Sequence, residues 1–469
     1  MNMTQAFRSL SNGRLLDLPA TLDVIDPATE EVIARVPDCT PELLDATVQA
    51  AQAAFATWSR TPLEQRRERL EALAQRIKDN ADELALLLTR EQGRPLPMAK
   101  AEVLGCVHWC RSFAQMALPV AEHTDKAGVQ WSTRRVPLGV VAAIAPWNFP
   151  LSLAVWKLAP ALLAGNTVIV KPSPFTPLAT LRLGELAADL FPAGVLNVLS
   201  GGDALGPWMT SHPGIAKVAF TGSTATGRRV MAAAAPTLKH VTLELGGNDA
   251  AIVMPDVDVA KVARKLFVGA FLNAGQVCIA AKRIYVHDTL YDAFAQAFAA
   301  AARAAPMGPG TQEGVMLGPV QNRPQYERVK DLIAATRAAG HRFLAGGEVP
   351  DGPGYFIPPT VVDNPPDDAR IVVEEPFGPI VPLLRFSDVD EVVRRANDTE
   401  FGLGGSVWSN DVAQARAIGA GLEVGTVWIN NVHLLDPQSP FAGRKQSGIG
   451  VENGIEGLLE FTAVQTMVG

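Results

Sequence analysis

The sequence predicts an α/β protein with a doubly wound parallel sheet, a second α/β domain and a small added β-sheet. Two observations carry this prediction, the continuously apolar character of the strand-like runs and the helical stretches between them. Short, continuously apolar runs rich in β-branched residues are separated by helical stretches, which is typical of parallel strands covered on both faces. Their order also implies that ligands bind beyond the carboxyl ends of the strands. The strand runs are Val140–Ile144, Thr167–Val170, Val195–Leu199, Ala216–Phe220 and Val241–Leu243, and helices are expected at Leu178–Leu190 and Thr224–Ala234.

The region before these strands is predicted to be helical. Thr61-Pro62-Leu63-Glu64 has the pattern of a capping box with proline at the first helical position. Apolar residues then recur at helical spacing as far as Leu84, and Gly93 and Pro95 end the run.

A second α/β block follows, from about Ala250 to about Gln446. Alternating strand and helix patterns again indicate a sheet covered by helices. We expect strands at Arg283–His287, around Val372, and at Val381–Phe386, Gly405–Val407 and Thr426–Asn430, with helices at Leu290–Ala304 and Asp388–Asn397. Residues 119–137 and 458–469 are short, β-prone and polar-alternating, so they predict strands of a separate interface sheet.

Composition excludes several classes of protein. The 469 residues are 48% hydrophobic and carry 41 basic against 48 acidic side chains, a net charge of −7, which disfavours nucleic acid as the main partner. Four cysteines do not make a disulfide framework, and Cys106 and Cys110 lack a second ligand pair, so no metal site is expected. Neither a secretory signal nor a membrane span is visible, which favours a cytoplasmic protein.

Cys278 and Glu244 are the candidate nucleophile and base. Gly275, Gln276 and Asn273 lead into the cysteine without any packing logic, and nearby amide donors and a nicotinamide cation would favour its thiolate. Glu244 ends an apolar strand just before two glycines, so it should be desolvated and raised in pKa, as a general base requires. The alternatives are an inert buried cysteine and a strand-end surface acid.

Three further features suit the same chemistry. Asn148 lies between prolines at 146 and 150, where its amide can donate to a developing alkoxide. The Phe-Thr-Gly-Ser-Thr-Ala-Thr-Gly run at 220–227 joins a strand to a helix whose free amides would hold a pyrophosphate. Lys171 ends a strand facing the nucleotide crevice, while Glu375 and Phe377 offer a ribose acceptor and a stacking ring. Alone, each could be an ordinary turn or loop residue.

Together these residues closely resemble the aldehyde dehydrogenase superfamily, of the non-phosphorylating, hydrolytic type. The resemblance runs from Ile25 to Thr462. Its motifs are Pro-Trp-Asn-Phe-Pro at 146–150, Lys-Pro-Ser at 171–173, Phe-Thr-Gly-Ser-Thr at 220–224, Leu-Glu-Leu-Gly-Gly at 243–247, Gly-Gln-x-Cys at 275–278, Glu-Pro-Phe-Gly-Pro at 375–379 and Pro-Phe-Ala-Gly at 440–443.

The resemblance implies a reaction and roles for these residues. Cys278 attacks an aldehyde, hydride passes from the thiohemiacetal to NAD(P), and Glu244 activates the water that hydrolyses the thioester. Asn148 and the Cys278 main-chain amide hold the oxyanion. The residues implied around the cofactor are Ile144, Trp147, Lys171, Ser173, Gly202, Gly222, Ser223, Leu245, Gln325, Glu375 and Phe377.

The resemblance also implies the domain organisation. Residues 1–118 and 138–246 would form a Rossmann-like dinucleotide-binding domain, 247–446 a catalytic domain, and 119–137 with 447–469 the oligomerisation segments of a homodimer or homotetramer. Two departures stand out. Pro174 occupies a position where many NAD-preferring relatives carry a ribose-binding Glu, so NADP can be accepted as well as NAD. Asn248 stands where Lys is frequent, with no clear consequence from sequence.

The substrate pocket is expected to be apolar and aromatic, which favours medium-chain aliphatic or aromatic aldehydes, with the loop His433–Ser439 as its rim. The predicted lining is Phe149, Leu153, Trp156, Val277, Ile279 and Phe441. Alternatively, His433 and Asp436 recognise a polar group, or the apolar cluster is only core.

Three other functions compete with this prediction. A coenzyme-A-acylating dehydrogenase generally lacks the base, so Glu244 argues against it. A cysteine-dependent acyl hydrolase needs a histidine beside Cys278, and sequence places none there. A non-catalytic protein would have no need of Cys278, Glu244 and Asn148 together.

Overall fold

The computed structural model describes residues 6–469, and the first five residues of the predicted domain 1–118 lie outside that range. Its first sheet has a parallel centre of five strands, which confirms the predicted fold class. Antiparallel strands extend both edges. In spatial order the strands are Arg14–Leu16, Ser9–Ser11, Leu196–Val198, Thr167–Lys171, Val140–Ile144, Lys217–Thr221, His240–Glu244 and Gly448–Ile449.

Helices cover both faces of this sheet. The helix Pro150–Ala164 is buried along almost its whole length, which explains why its sequence is apolar on every side. It follows the strand Val140–Ile144. The next two parallel strands along the chain lie on one side of this strand and the later two lie on the other, and a ligand crevice is expected at such a reversal of strand order. The helices of this part are Pro41–Trp58, Leu63–Asp79, Ala81–Gln92, Leu96–Ala114, Pro150–Ala164, Leu178–Ala187, Leu205–Ser211 and Thr224–Ala234.

The predicted capping box at Thr61 is wrong. The helix begins at Leu63 with Pro62 as the residue before it, and no side chain caps it. The Thr61 hydroxyl instead donates back to the Thr57 carbonyl at 3.4 Å, so it is committed to the preceding turn. The helical run also breaks at Asn80, whereas its end at Gly93, in a left-handed conformation with φ of 94°, agrees with the prediction.

The second sheet is parallel except for its first strand. In spatial order its strands are Phe343–Ala345, Thr360–Asp363, Ile380–Phe386, Arg283–His287, Ala250–Val253, Gly404–Trp408 and Thr426–Ile429. The longer helices around it are Val259–Phe271, Asp288–Ala304, Arg323–Ala338, Val389–Asn397 and Val412–Ala420. Two apolar cores, one on each face, hold these layers together.

The strand predicted around Val372 is wrong, because Arg370–Val373 forms a single helical turn. Ile371 and Val372 are both buried, while Val373 is exposed. The Glu374 N–H donates to the Arg370 carbonyl at 2.8 Å, which is the spacing of a helical turn. The β-branched composition of this run was therefore misleading.

A three-stranded antiparallel sheet is formed by Ala121–Thr124, Gln130–Pro137 and Thr462–Val468. Gly448–Ile449 and the helix Gly454–Leu459, which also fall in the segment 447–469, lie elsewhere. The strand Gly448–Ile449 pairs with the first sheet, and the helix Gly454–Leu459 packs on the helix Pro150–Ala164. Two small strand pairs complete the fold, Thr21–Ile25 with Val32–Pro37 and Phe401–Gly402 with Arg444–Lys445. Within residues 6–469, no helix combines the length and apolar character needed to cross a bilayer.

Candidate active site

Cys278 lies just after a tightly wound loop. Residues 273–275 have positive φ angles of 52°, 54° and 73°, a conformation that is costly for the two residues other than glycine. The side chain of Gln276 fixes this loop, because its Nε2 donates to the Asn273 carbonyl at 2.9 Å and its Oε1 accepts the Gln321 N–H at 2.8 Å. The Gly-Gln-x-Cys motif thus owes its glycine and glutamine to backbone geometry.

Glu244 ends the strand His240–Glu244 and lines the same cavity as Cys278. Its carboxyl group is buried, and neither oxygen has a hydrogen-bond partner within the described residues. Burial, followed by the negative charge of Glu452, raises the pKa of Glu244 to about 8, and the Lys157 cation opposes that rise. A carboxyl group with such a pKa is suited to general base catalysis slightly above neutral pH.

In the protein alone, the Cys278 thiol has a raised pKa, and a thiolate favoured by the cofactor stays a prediction. Burial and the nearby Glu244 carboxyl raise its pKa well above the ordinary value, because both disfavour the thiolate. The Lys282 ammonium opposes them. It donates to the Cys278 carbonyl and forms an ion pair with Glu375 at 3.0 Å, so positive charge is held beside the nucleophile.

Asn148 is buried where the strand Val140–Ile144 passes into the helix Pro150–Ala164. Its Nδ2 donates to the Gln276 carbonyl at 3.1 Å, which brings the amide next to the cysteine loop. The carbonyl of Asn148 accepts from the Asn273 Nδ2 at 3.2 Å. The three predicted catalytic residues therefore come from three separate segments: Cys278 and Glu244 line one cavity, and Asn148 is bonded to the loop that leads into Cys278.

The cavity in front of Cys278 has a volume of about 380 Å³, within the usual range for small-molecule sites. All six residues predicted for the substrate pocket line it: Phe149, Leu153, Trp156, Val277, Ile279 and Phe441. Trp109, His433 and Leu435 also line it; His433 and Leu435 belong to the predicted rim loop, whereas Trp109 was not assigned from sequence. Trp109 stacks on Trp156 with ring centroids 5.3 Å apart.

His433 is therefore close to the cysteine in space, although 155 residues separate them. Its Nε2 lies 3.0 Å from the Ile279 carbonyl, which can only accept, so this nitrogen carries a proton. Burial lowers the pKa of His433 to about 4, which keeps the ring neutral. The His433 ring is thus hydrogen-bonded to the Ile279 carbonyl and not to the Cys278 thiol.

The residues predicted to bind the cofactor gather at the carboxyl ends of the first sheet's parallel strands. Ile144 and Lys171 end adjacent strands and are opposite each other in register. The next three parallel strands are each followed by a predicted residue: Leu196–Val198 by Gly202, Lys217–Thr221 by Gly222, and His240–Glu244 by Leu245. Trp147 and Ser173 lie in the loops beyond these ends, and Ser223 caps the helix Thr224–Ala234. This edge is where the fold predicts a nucleotide.

Glu375, Phe377 and Gln325 reach this edge from the second α/β part. Glu375 accepts from the Gly247 N–H at 3.1 Å, and a Cβ added at Gly246 would collide with its carboxylate. The Gln325 Nε2 donates to the Phe377 carbonyl at 3.0 Å, and the Phe377 ring packs edge-on against Trp147. Glycine is thus needed at position 246 so that the carboxylate can approach the main chain.

The residues at this edge fit an NAD(P) molecule. An apolar cavity of about 430 Å³, lined in part by Leu243, Leu245, Met231 and Ile449, can take an adenine ring. The start of the helix Thr224–Ala234 offers free N–H groups to phosphate, since its cap Ser223 engages only Thr226. Burial lowers the pKa of Lys171 to about 8, and Asp203 and Asp38 help to keep it charged.

Sequence reasoning missed the buried charges around the site. Lys157, Glu452, Arg94, Glu102 and Lys282 were not assigned roles, yet each is buried close to a predicted catalytic residue. One signal was available. A lysine inside the wholly apolar helix Pro150–Ala164 needs a buried partner, because an unpaired ammonium is very costly there.

Comparison with known proteins shows which family the chain resembles over its length. The sequence model of the aldehyde dehydrogenase family matches residues 17–467. Phenylacetaldehyde dehydrogenase of Pseudomonas fluorescens is 41% identical over 96% of this chain and 92% of the relative. The NAD+ complex of an aldehyde dehydrogenase from Bacillus cereus superimposes with a TM-score of 0.96, at 35% identity, covering 99% of this chain and 96% of that one. An E. coli structure described as an NADP dependent enzyme has a TM-score of 0.96 and 36% identity, covering 99% and 98%.

The fold, the paired thiol and carboxyl groups and these similarities define an NAD(P)-dependent oxidoreductase. The chain belongs to the aldehyde dehydrogenase family.

Proposed function

We propose that the protein oxidises an aldehyde to the carboxylic acid through a thioester on Cys278. The observation that carries this proposal is the meeting of Cys278 and Glu244 in one cavity of about 380 Å³, where their charges interact. A thiol alone could be structural, and a carboxyl alone could be a buried acid. A sulfur nucleophile and a base facing the same space suit acyl chemistry followed by hydrolysis.

In the first step the Cys278 thiol loses its proton to solvent, the thiolate sulfur bonds to the aldehyde carbon, and the carbon–oxygen π bond opens to give the thiohemiacetal anion. The aldehyde oxygen becomes negatively charged and accepts from the Asn148 Nδ2 and the Cys278 main-chain N–H. The Asn148 amide is already oriented by its bond to the Gln276 carbonyl, so little rearrangement is needed. Lys282 favours the thiolate in this step through its positive charge.

Bound NAD(P) supplies the hydride acceptor that converts the thiohemiacetal to a thioester. Glu244 then takes a proton from water, and the resulting hydroxide attacks the thioester carbon. The carbon–sulfur bond breaks, the carboxylic acid leaves and Cys278 is free again. A pKa of about 8 gives Glu244 enough basicity for this step while leaving part of it ionised near neutral pH.

The proposed cofactor contacts follow the site described above. Lys171 and Ser173 would hold the adenosine ribose, Gly222 and Ser223 the pyrophosphate, and Glu375 the nicotinamide ribose. The remaining proposed contacts are Ile144, Trp147, Gly202, Leu245, Gln325 and Phe377. Because Pro174 brings no carboxylate to the adenosine ribose, position 174 does not repel a 2′-phosphate, and we propose that NADP is used besides NAD.

We propose medium-chain aliphatic or aromatic aldehydes as substrates. The cavity wall contains the rings of Trp109, Phe149, Trp156 and Phe441, and besides the proposed base Glu244 its ionisable side chains Arg94 and Glu102 neutralise each other in an ion pair. An apolar, aromatic space selects an apolar side chain. The similarity to a phenylacetaldehyde dehydrogenase supports the same class.

We also propose that the three-stranded sheet joins two copies of the chain as a homodimer or as part of a homotetramer. Its strand Thr462–Val468 exposes Val464, Met467 and Val468 by 57%, 49% and 54%. Exposed apolar side chains on a projecting sheet are typical of an interface. Light scattering of the purified chain, with Val464→Glu for comparison, tests this assignment.

The test of the activity is a panel of aldehydes with NAD or NADP, in which NADH or NADPH absorbance and the free acid are both measured without coenzyme A. We expect both signals, with aromatic and medium-chain aldehydes ahead of charged ones, and neither signal from Cys278→Ala. Acid formation that requires coenzyme A would indicate an acylating dehydrogenase. Ester or thioester cleavage without any cofactor would indicate an acyl hydrolase.

A further inference from the structure

Arg94 and Glu102 form a buried ion pair beside the cysteine cavity, with side chains only 1% and 2% exposed. The Nη1 of Arg94 donates to the Glu102 Oε2, and its Nε donates to the Gln92 Oε1 at 2.8 Å. Its remaining nitrogen, Nη2, donates to the main-chain carbonyl of Asn148. The guanidinium therefore joins the acid to the residue that carries the proposed oxyanion donor.

Glu102 approaches the same segment from its other side. Its Oε1 accepts the N–H groups of Leu151, at 3.1 Å, and Ser152, at 2.9 Å. These belong to the first turn of the helix Pro150–Ala164, whose preceding residue Phe149 offers no capping group. Glu102 thus supplies the acceptor that the start of this helix lacks, and its charge suits the positive end of the helix dipole.

The two charges therefore hold both sides of a short connection. Arg94 binds the carbonyl of Asn148, Glu102 binds the helix turn that begins two residues later, and the Arg94 guanidinium also lies 4.4 Å from the centre of the Phe149 ring. From this fixed main chain the Asn148 side chain extends to the Gln276 carbonyl. No other charged side chain is bonded to residues 148–152 in the described chain.

Stability alone does not explain a charged pair here. Desolvating two charges costs several kcal/mol, and apolar residues of similar size are often equally stable in such a place. The need to hold the oxyanion donor in a fixed orientation does explain the charged pair. A hydrogen-bond donor for a developing oxyanion has to be held within a fraction of an ångström, and a displacement of about 1 Å can cost about a hundredfold in rate.

We infer that Arg94 and Glu102 are positioning residues for the oxyanion donor, acting through the main chain of Asn148. This inference rests on the proposed function, in which the Asn148 amide stabilises the oxyanion. The pair itself does not touch the reacting atoms. It fixes the start of the helix Pro150–Ala164 so that the amide faces the carbon attacked by Cys278.

A double-mutant cycle on kcat tests this inference. The paired variant Arg94→Met/Glu102→Leu removes both charges together, so neither partner is left as an unpaired buried charge. We expect it to lower kcat by about ten- to a hundredfold, while Asn148→Ala lowers kcat by about a hundredfold or more. The triple variant should be no slower than Asn148→Ala, because the pair has nothing left to position.

Losses that multiply in the triple variant would overturn the positioning role and leave the oxyanion role intact. An Asn148→Ala variant with full kcat would overturn the oxyanion role itself, so the two failures are distinguishable. Arg94→Lys keeps a cation able to reach Glu102 and the Asn148 carbonyl, and it should restore most of kcat. If it restores none while cofactor binding and thermal stability are unchanged, a main-chain contact is not how the pair acts.

Discussion

Lys157 and Glu452 form a buried ion pair, with Nζ and Oε1 2.6 Å apart and side chains 0% and 5% exposed. The same ammonium donates to the Thr221 hydroxyl at 2.6 Å. Both charges act on Glu244, in opposite directions: Glu452 raises its pKa and Lys157 lowers it. Burial is the first cause of the raised pKa of Glu244, and this pair adjusts the pH at which the proposed base becomes ionised.

The pH dependence of thioester hydrolysis should reflect Glu244. A base works only when ionised, and the ionised fraction falls about tenfold for each pH unit below its pKa of about 8. We expect kcat to rise with pH up to about 8 when hydrolysis limits turnover. This rise is the acidic limb of the profile of kcat against pH. Lys157→Met removes the cation that lowers the pKa of Glu244 and should move the limb to higher pH, whereas Glu452→Gln should move it to lower pH.

A matched control is Lys217→Met. Lys217 is also fully buried and donates to the Thr242 hydroxyl at 2.6 Å, but it lies at the opposite end of the strand Lys217–Thr221, about 13 Å from Thr221. Its charge interacts with Glu452 and Lys157, whereas Lys157 acts on Glu244 itself, so Lys217→Met should cost stability and move the limb less than Lys157→Met does. Shifts in the same direction for Lys157→Met and Glu452→Gln would contradict this origin of the pH dependence.

Glu244→Gln should separate the two halves of the reaction. The amide cannot take a proton from water, so the thioester should accumulate after one round of hydride transfer. Rapid mixing with aldehyde and NAD should give a burst of NADH close to one equivalent of enzyme, followed by turnover slower by about a hundredfold or more. Loss of the burst as well would mean that Glu244 already acts on the Cys278 thiol before hydride transfer.

Cys278→Ala should abolish turnover while the cofactor still binds, because no other described cysteine lines the cavity. Residual activity above about one hundredth of the original would count against the nucleophile role. Cys110→Ala is the matched control, since Cys110 is a buried thiol within the helix Leu96–Ala114. It should keep kcat. Cofactor quenching of tryptophan fluorescence checks that both variants still bind NAD.

The motifs around Cys278, Glu244 and Asn148 could be read from sequence because local backbone geometry demands their glycines and prolines. The buried charged residues around the site could not be predicted from sequence. Glu452 pairs with Lys157 across 295 positions, and only the folded chain brings them together. A run of β-branched residues at Val372 was equally ambiguous, since its side chains suit a strand while its packing requires a helical turn.

Pro174 should determine the choice between NAD and NADP. Pro174→Glu would introduce a carboxylate near Lys171, where it can accept from ribose hydroxyls and repel a 2′-phosphate. We expect kcat/KM with NADP to fall relative to NAD by about tenfold or more, which corresponds to about 1.4 kcal/mol. Pro174→Gln has the same length without the charge and should shift the ratio less. Equal effects of the two variants would assign any change to the loss of proline.

Phe441 should contribute to selectivity for aromatic aldehydes, since its ring lies edge-on to Trp156 with centroids 6.0 Å apart and lines the cavity. An aromatic contact of this kind contributes about 0.5–1.5 kcal/mol beyond burial, so Phe441→Leu should lower kcat/KM for phenylacetaldehyde about two- to tenfold relative to butanal. Phe271→Leu, which alters a ring in the core of the second sheet, should lower stability and leave that ratio unchanged. Equal losses for both aldehydes in Phe441→Leu would show that the ring supports the loop and does not select the substrate.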